Sequence, residues 1–448
     1  MLLSAPYKKS YYDILKIAYP VCLSNLGHIT VGIVDTAMVG QVSTTAQAGV
    51  ALAGSLFYIL LVFGIGIAFG VTPYAAEADA QNNHSKIKAL LKNSLVLNFL
   101  VNMILVLILI ASSPLLRKLD QPMDVVEIAI PFLEILTISL IPLSIFSAFK
   151  QFAEGLSDTK IAMFISVAGN VVNIFLNYVL IFGKWGFPKM GVLGSAWASL
   201  YARIIMAIGM SMYIFTNKKF KAYSSNFIKE KTDFKEIYAL FKVGVASGLQ
   251  WVFEVGAFSC AVIMAGWLGT KQQAAHQIAV SIAAATYMIA SGISAGVSVK
   301  VGNAVGERNK EHIKISGNSG FILVLAFMSL SCILLIACKN YFPLLFSKDI
   351  EVIEMAASLI VIAGIFQLFD GAQVVGLGAL RGLKDAKIPT ITTLFAYWII
   401  GLPVGYFLAF TLNMGVQGIW WGLSVGLLFS AVALYARFKF IAKSIHLE

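Results

Sequence analysis

The apolar run LIVIAGIFQLFDGAQVVGLGAL, residues 359–380, carries Asp370 near its middle, with Gln367 and Gln373 three positions to either side. A carboxylate at the centre of a membrane-spanning helix costs about 2.5–3.5 kcal/mol, and ionisable groups kept at such depth are functional by default. A second one, Glu254, stands in GLQWVFEVGAFSCAVIMAGW, residues 248–267. Counted from the outer ends of their runs, the two lie about 13 and about 17 residues deep, a difference of roughly 6 Å. Two carboxylates at similar depth repel when both are charged, and a bridging cation relieves the repulsion. The chemistry they suit is the reversible holding of a small cation. The alternative is a pair of neutral, hydrogen-bonded carboxyls that tie helices together.

A different set occupies the N-terminal half. Asp35 lies in HITVGIVDTAMVG, and Asn170, Asn173 and Asn177 fall at i, i+3 and i+7 of AGNVVNIFLNYVLIFG, on one helix face. Amide oxygens serve as cation ligands or as partners of a protonated carboxyl. His28, seven residues before Asp35 and on roughly the same face, has two readings: a hydrogen-bonded neutral imidazole, which is preferred, or a proton relay. Arg203 sits deep in an apolar run and needs an acceptor, with Asp35 and helix-terminal carbonyls both open. Ser55, Gln277 and Asp349 are candidates to line an outward-facing cavity, alongside Asp35 as a substrate contact.

These residues need helices to hold them. Of the 448 residues, 59% are hydrophobic and 12% charged, with a mean hydropathy of +0.84. A soluble globular chain is nearer 45–50% apolar and about 25% charged. Runs long enough to span a bilayer cover residues 14–40, 46–73, 89–112, 128–150, 160–183 and 191–215, then 237–267, 272–300, 313–338, 353–379, 388–411 and 415–438. The fold expected is an all-α integral membrane protein of twelve transmembrane helices in two pseudo-symmetric six-helix bundles. The bundles are placed at residues 1–216 and 237–448, joined by a charged cytoplasmic linker at 217–236. The N-terminus lacks a short apolar core followed by a small-residue cleavage site, so its first long run reads as a retained helix.

The formal net charge of +11 raises the question of nucleic acid, which the distribution answers. With both termini on one side, that side holds 25 of the 33 basic residues, the other seven, and Arg203 is within helix 6. The bias is an orientation signal and places both termini in the cytoplasm. Cys22, Cys260, Cys332 and Cys338 lie in apolar runs without ligand spacing and read as small core residues. The sequence has no GxxxxGK[ST] phosphate loop, and the histidines (28, 84, 276, 312 and 446) form no metal-ligand cluster. An intramembrane enzyme would not need what the chain does show, an internal repeat.

A shift of 226 carries residues 16–87 onto 242–313 without a gap, pairing Lys16 with Lys242, Gly40 with Gly266, Gln47 with Gln273 and His28 with Glu254. GLSDTK (155–160) meets GLKDAK (382–387), and GVLGSAW (191–197) meets GVQGIWW (415–421). Each half has an even number of spans, so the repeat is parallel, as in secondary transporters that rock around a central cavity. Gly66/Gly70 and Gly292/Gly296 are matched GxxxG pairs that allow close helix approach. Pro20 and Pro403 should kink helices 1 and 11.

The six-plus-six layout, VDTAMVGQV around Asp35, the GLSDTK/GLKDAK pair and the combination of Glu254 with Asp370 resemble the MATE (multidrug and toxic compound extrusion) family. The resemblance runs over roughly residues 10–440. The acidic pair is similar to the NorM branch; the DinF branch lacks it. The resemblance implies a cation site of Glu254, Asp370 and Tyr287, the last as a cation–π partner, and a second site of Asp35, Asn173, Asn177 and Ser199. Some members carry Asp where Asn177 stands. It further implies antiport export of amphipathic organic cations and drugs, with sodium as the coupling ion and protons as the alternative, and no resident cofactor. The expected setting is a monomer among the lipids of the cell inner (plasma) membrane. The rival reading is a flippase for a lipid-linked or amphiphilic substrate. It calls for several Arg and Lys in the cavity, where the sequence shows Arg203 alone inside the helices.

Overall fold

The computed structural model describes residues 4–445 apart from 119–120, 226 and 228–229, and in it twelve helices are long and apolar enough to cross a membrane. They are α1 (Ala5–Gly40), α2 (Thr44–Ala80), α3 (His84–Lys118), α4 (Met123–Gly155), α5 (Lys160–Phe182), α6 (Val192–Thr216), α7 (Phe234–Leu268), α8 (Thr270–Gly306), α9 (Lys310–Ala337), α10 (Ile350–Gly382), α11 (Lys387–Thr411) and α12 (Val416–Ser444). Each expected run falls on one of them. No strand occurs among the described residues, as a lipid environment requires of a backbone that must satisfy its own hydrogen bonds. Lys229, part of the cytoplasmic tally, and His446 lie outside the described residues.

The internal repeat extends to backbone detail. The turns before α3 and α9 place Asn82 (φ 51) and Arg308 (φ 55) in left-handed conformation, and the next residues, Asn83 and Asn309, cap the helices that follow. The α4–α5 and α10–α11 turns do the same with Ser157 (φ 59) and Lys384 (φ 61). Asp158 and Asp385, the carboxylates of GLSDTK and GLKDAK, are held alike. Asp158 accepts from the Tyr213 hydroxyl at 2.9 Å and Asp385 from Arg437 Nε at 2.8 Å. Tyr213 and Arg437 occupy matching places near the ends of α6 and α12. The repeated motif is therefore a staple between a tight turn and the last helix of each half.

Two compact units form, one of residues 1–22 with 249–448 and the other of residues 23–248. These boundaries differ from the division at 1–216 and 237–448. They fall inside α1 and α7, at points related by the same shift of 226. The reason is the matched glycines. A Cβ added at Gly66 would lie 2.3 Å from Gly248 Cα, and one at Gly70 would lie 2.4 Å from the Leu240 carbonyl, so the first part of α7 packs on α2. A Cβ at Gly292 would lie 2.3 Å from Cys22 Sγ, and one at Gly296 2.8 Å from the Ile14 carbonyl, so the first part of α1 packs on α8. The linker stays with the second unit, where Lys88 pairs with Glu230 at 3.0 Å and Asn93 donates to Glu236. Gly66→Val is expected to destabilise by about 1–3 kcal/mol, because backbone, not a flexible side chain, blocks the new methyls. Thermal unfolding in detergent reads this directly, and an unchanged midpoint would disprove the contact.

Pro20 sits inside α1, which continues through it as one helix. At Pro403 the backbone widens into π-helical turns over Phe395–Gly401 and Phe407–Thr411, flanking the short α-helical piece Leu402–Tyr406. The missing amide is absorbed by wider turns. Gly405 lies against Gly422 of α12, where a Cβ on Gly422 would sit 2.2 Å from Gly405 Cα.

Candidate functional site

The sequence places Glu254 midway along α7 and Asp370 about 30 Å along α10 at 1.5 Å per residue. The fold brings them together. Glu254 is 8% exposed and Asp370 4%, and the two carboxylates act on each other electrostatically. Tyr287 of α8 donates its hydroxyl to Glu254. Tyr397 of α11, fully buried, lies within electrostatic reach of Glu254, Asp370 and Tyr287, and its hydroxyl accepts from Gln373 Nε2 at 3.1 Å. Asp370 Oδ1, Gln373 Oε1 and both amide atoms of Gln367 are buried without a hydrogen-bond partner among the described residues. A buried oxygen left bare costs about 1–3 kcal/mol. Carboxylate and amide oxygens are the ligand type that a hard cation takes.

The second cluster joins α1, α5 and α6. Asn177 Nδ2 donates to Asp35 Oδ1 and also reaches Asn173 Oδ1 at 3.0 Å, and Asn173 Nδ2 donates to Ser199 Oγ at 3.3 Å. The four residues expected together, Asp35, Asn173, Asn177 and Ser199, are thus connected through direct hydrogen bonds. Arg203 does not rely on a helix-terminal carbonyl. It donates to the Ser139 hydroxyl and faces the Phe57 ring at 5.3 Å, with Asp35 near enough to act on its charge.

The candidate cavity residues separate. Gln277 lines a cavity of about 320 Å³ with Ser281, Phe346 and Ser347. Ser281 is the repeat partner of Ser55. Ser55 itself is exposed on α2 and bonds back to the Ala51 carbonyl at 2.7 Å. Asp349 caps α10, accepting from Glu351 N at 3.0 Å, and lies 3.6 Å from Lys271, so its carboxylate has structural partners. A second cavity, about 490 Å³, runs along α1 between Ile29 and Gly40 and includes Gln47.

Comparison with known proteins decides the family. The MatE family profile matches residues 20–179 and 246–407, once per half. The multidrug resistance protein NorM of Photobacterium profundum is 31% identical over 439 residues, covering 97% of this chain and 96% of that protein. The chain belongs to the MatE family. The multidrug resistance protein MdtK of Yersinia pseudotuberculosis is similar at 30% identity over 96% of the chain and 95% of its own length. Among solved structures, the eukaryotic MATE transporter AtDTX14 superposes with a TM-score of 0.87 at 20% identity, covering 99% of this chain and 97% of that one. A MATE protein in the bent conformation gives 0.89 at 17% identity, over 98% of each chain. Relatives in the MatE family are transporters, which sets the class of this protein as a multi-pass membrane transporter rather than an enzyme.

Tyr397 of this MatE protein was not visible as a site residue in the sequence, and Gln367 and Gln373 stood there as mere neighbours of Asp370. Their spacing at i±3 was the available signal for the two glutamines; Tyr397 had none, because only packing of α11 brings it in. Arg203 also counted there as the lone basic residue inside the helices. In the structure α10 runs through Gly382, so Arg381 lies within it and is 7% exposed, and α4 runs through Lys150. Gln367→Met is expected to raise stability in sodium-free detergent by about 1–2 kcal/mol, since it removes two unpaired buried polar atoms. The same variant should lose most of the stabilisation that added sodium gives the native protein. A thermal-shift titration checks both, and a variant less stable than the native protein without sodium would count against the unpaired amide.

Proposed function

We propose that this transporter exports amphipathic, mostly cationic organic compounds by antiport with sodium, opening to one side of the membrane at a time. The observation that carries this reading is the Glu254–Asp370 pair with Tyr287, Tyr397 and the unpaired oxygens of Gln367, Asp370 and Gln373 around it. Two carboxylates match a bare cation better than a proton, for which one suffices. The ion is cargo: Glu254, Asp370 and the amide oxygens would ligate it, and Tyr287 would offer its hydroxyl or ring face. The membrane potential adds about 2.3 kcal/mol per elementary charge per 100 mV to such an exchange. Relatives named multidrug resistance proteins, matched over nearly the whole chain, support drug-like cargo. The lysine-rich faces support insertion in the cell inner membrane with both termini cytoplasmic, and the protein is taken to act as a monomer. A lipid-linked anionic substrate would call for a basic cavity, and neither cavity described above is lined by Lys or Arg.

The test is export of a fluorescent organic cation from proteoliposomes at clamped pH and potential with an outside-high sodium gradient. Sodium should accelerate efflux. Tyr287→Ala should raise the sodium concentration for half-maximal effect about tenfold, the equivalent of one hydrogen bond to a charged group. Efflux that ignores sodium and follows an imposed pH gradient would overturn sodium coupling and leave Glu254 and Asp370 as a proton-sharing pair.

A further inference from the structure

Two buried amides near the acidic pair are held alike, each by a hydroxyl of α11. Gln373 of α10 donates its Nε2 to the Tyr397 hydroxyl at 3.1 Å, and Gln250 of α7 donates its Nε2 to the Thr390 hydroxyl at 3.1 Å. Thr390 commits its own proton to the Ala386 carbonyl at 2.8 Å, so toward Gln250 it acts as an acceptor. The amide is thereby fixed in one orientation, with Oε1 turned away from that bond. Gln250 Oε1 is buried without a hydrogen-bond partner among the described residues, and so is Gln373 Oε1. Gln250 is 3% exposed and Gln373 fully buried.

Gln250 precedes Glu254 by four residues and shares its face of α7, about 6 Å nearer the start of that helix. On α11, Thr390, Thr393 and Tyr397 fall at i, i+3 and i+7 on one face, over about 10 Å. Thr393 is fully buried and donates to the Pro389 carbonyl at 2.9 Å. Trp398 Nε1 donates to the Phe253 carbonyl at 3.0 Å and keeps α7 against α11 beside this line. The bare oxygens of Gln373 and Gln250 therefore stand at successive levels between Asp370 and the turn at 383–386.

A tie between these helices does not need a bare carbonyl. In the other half the matching helices α1 and α5 are joined by Ser24 and Ser166, hydroxyl to hydroxyl, at 2.8 Å. Ser24 is the repeat partner of Gln250 at the shift of 226, and Ser166 that of Thr393 at the shift of 227. The same fold is thus held with no amide oxygen left over. Glutamine in place of serine adds a carbonyl whose burial no hydrogen bond offsets. An ion held by two carboxylates must also leave them, and passage needs stations that bind well enough to admit it and weakly enough to release it. An amide carbonyl has this character, being a hard oxygen ligand without net charge. We infer that the Gln250 carbonyl, oriented by Thr390, is a second, neutral station for the monovalent cation on its way from the acidic pair to the cytoplasm. The inference rests on the sodium reading above and on the cytoplasmic placement of the α10–α11 turn.

The experiment uses the full chain, with sodium itself as the probe. Equilibrium sodium binding is read by thermal-shift titration in detergent. Passage is read by uptake of radiolabelled sodium into proteoliposomes during ethidium export at saturating external sodium. Gln250→Met keeps the length of the side chain and removes the carbonyl. It should slow sodium uptake and ethidium export together about tenfold, while the sodium concentration for half-maximal stabilisation stays within a factor of about two of native. Thr390→Val takes away the amide's partner and should slow passage in the same sense, whereas Thr390→Ser keeps the hydroxyl and should restore it. Gln250→Glu, which puts a charged oxygen at the station, should bind sodium more tightly and pass it more slowly. If Gln250→Met fails to fold, the Thr390 variants and Gln250→Glu carry the same test. Native passage in Gln250→Met and Thr390→Val would overturn the station and make the bare oxygen a water site. Sodium affinity falling in step with passage would overturn it as well, by placing Gln250 in the acidic site itself. Both of those results leave sodium antiport standing. Native protein that neither binds nor takes up sodium would instead bring down the sodium reading together with the station.

Discussion

Asp370→Asn and Glu254→Gln are each expected to abolish sodium-stimulated export while the protein remains folded and inserted. Both replacements keep the shape of the side chain and its apolar contacts and remove only a charge. In a site that is 4–8% exposed, water cannot stand in for the lost carboxylate. Removing one partner of a buried charge interaction costs about 3–5 kcal/mol, which corresponds to at least a hundredfold loss of ion affinity. The two variants should differ in stability without sodium. Asp370→Asn removes a buried charge whose Oδ1 has no partner, so it should be neutral or stabilising. Glu254→Gln weakens the bond from the Tyr287 hydroxyl and gains less. The double variant should be no more defective than either single one, because half a site holds no ion. Equilibrium sodium binding in detergent, followed by efflux from proteoliposomes, measures both links. Wild-type sodium-dependent efflux in both single variants would remove this pair from the coupling site.

Asp35→Asn is expected to reduce export of cationic compounds about a hundredfold while neutral compounds lose far less. A unit charge about 5 Å away contributes roughly 3 kcal/mol at an effective dielectric near 20. Its hydrogen-bond partners are all neutral: Asn177 directly, then Asn173 and Ser199. Arg203 acts on Asp35 electrostatically but bonds elsewhere, to Ser139. The carboxylate therefore keeps attraction to spare for a passing cation. Comparing matched cationic and neutral fluorescent substrates in the same vesicles separates the roles. Equal loss for both classes would assign Asp35 to ion coupling, and unimpaired transport of both would reduce it to a structural hydrogen-bond acceptor.

Much of this molecule is written in local sequence. The twelve spans follow from apolar length alone, because a backbone in lipid must satisfy its amides within the helix. The repeat follows from matched positions, and the structure repeats it down to paired left-handed residues such as Asn82 with Arg308. Asp370, Glu254 and Asp35 declare themselves through the cost of burying charge. The i, i+3, i+7 pattern of Asn170, Asn173 and Asn177 gave their shared face. What sequence did not determine is which faces meet. Helix rotation and closeness of approach bring Tyr397 beside Glu254 and Asp370, although α11 carries no charge at that depth to announce it. They give Arg203 the Ser139 hydroxyl and the Phe57 ring, where the sequence left two other acceptors open. They also set the compact units at Cys22 and Gly248, because glycines on α2 and α8 admit backbone contact and pull the first parts of α7 and α1 out of their sequence-defined halves. Hydropathy and charge cost are properties of one helix at a time, whereas a site is made by the rotation of several helices about their axes, which side-chain packing alone decides.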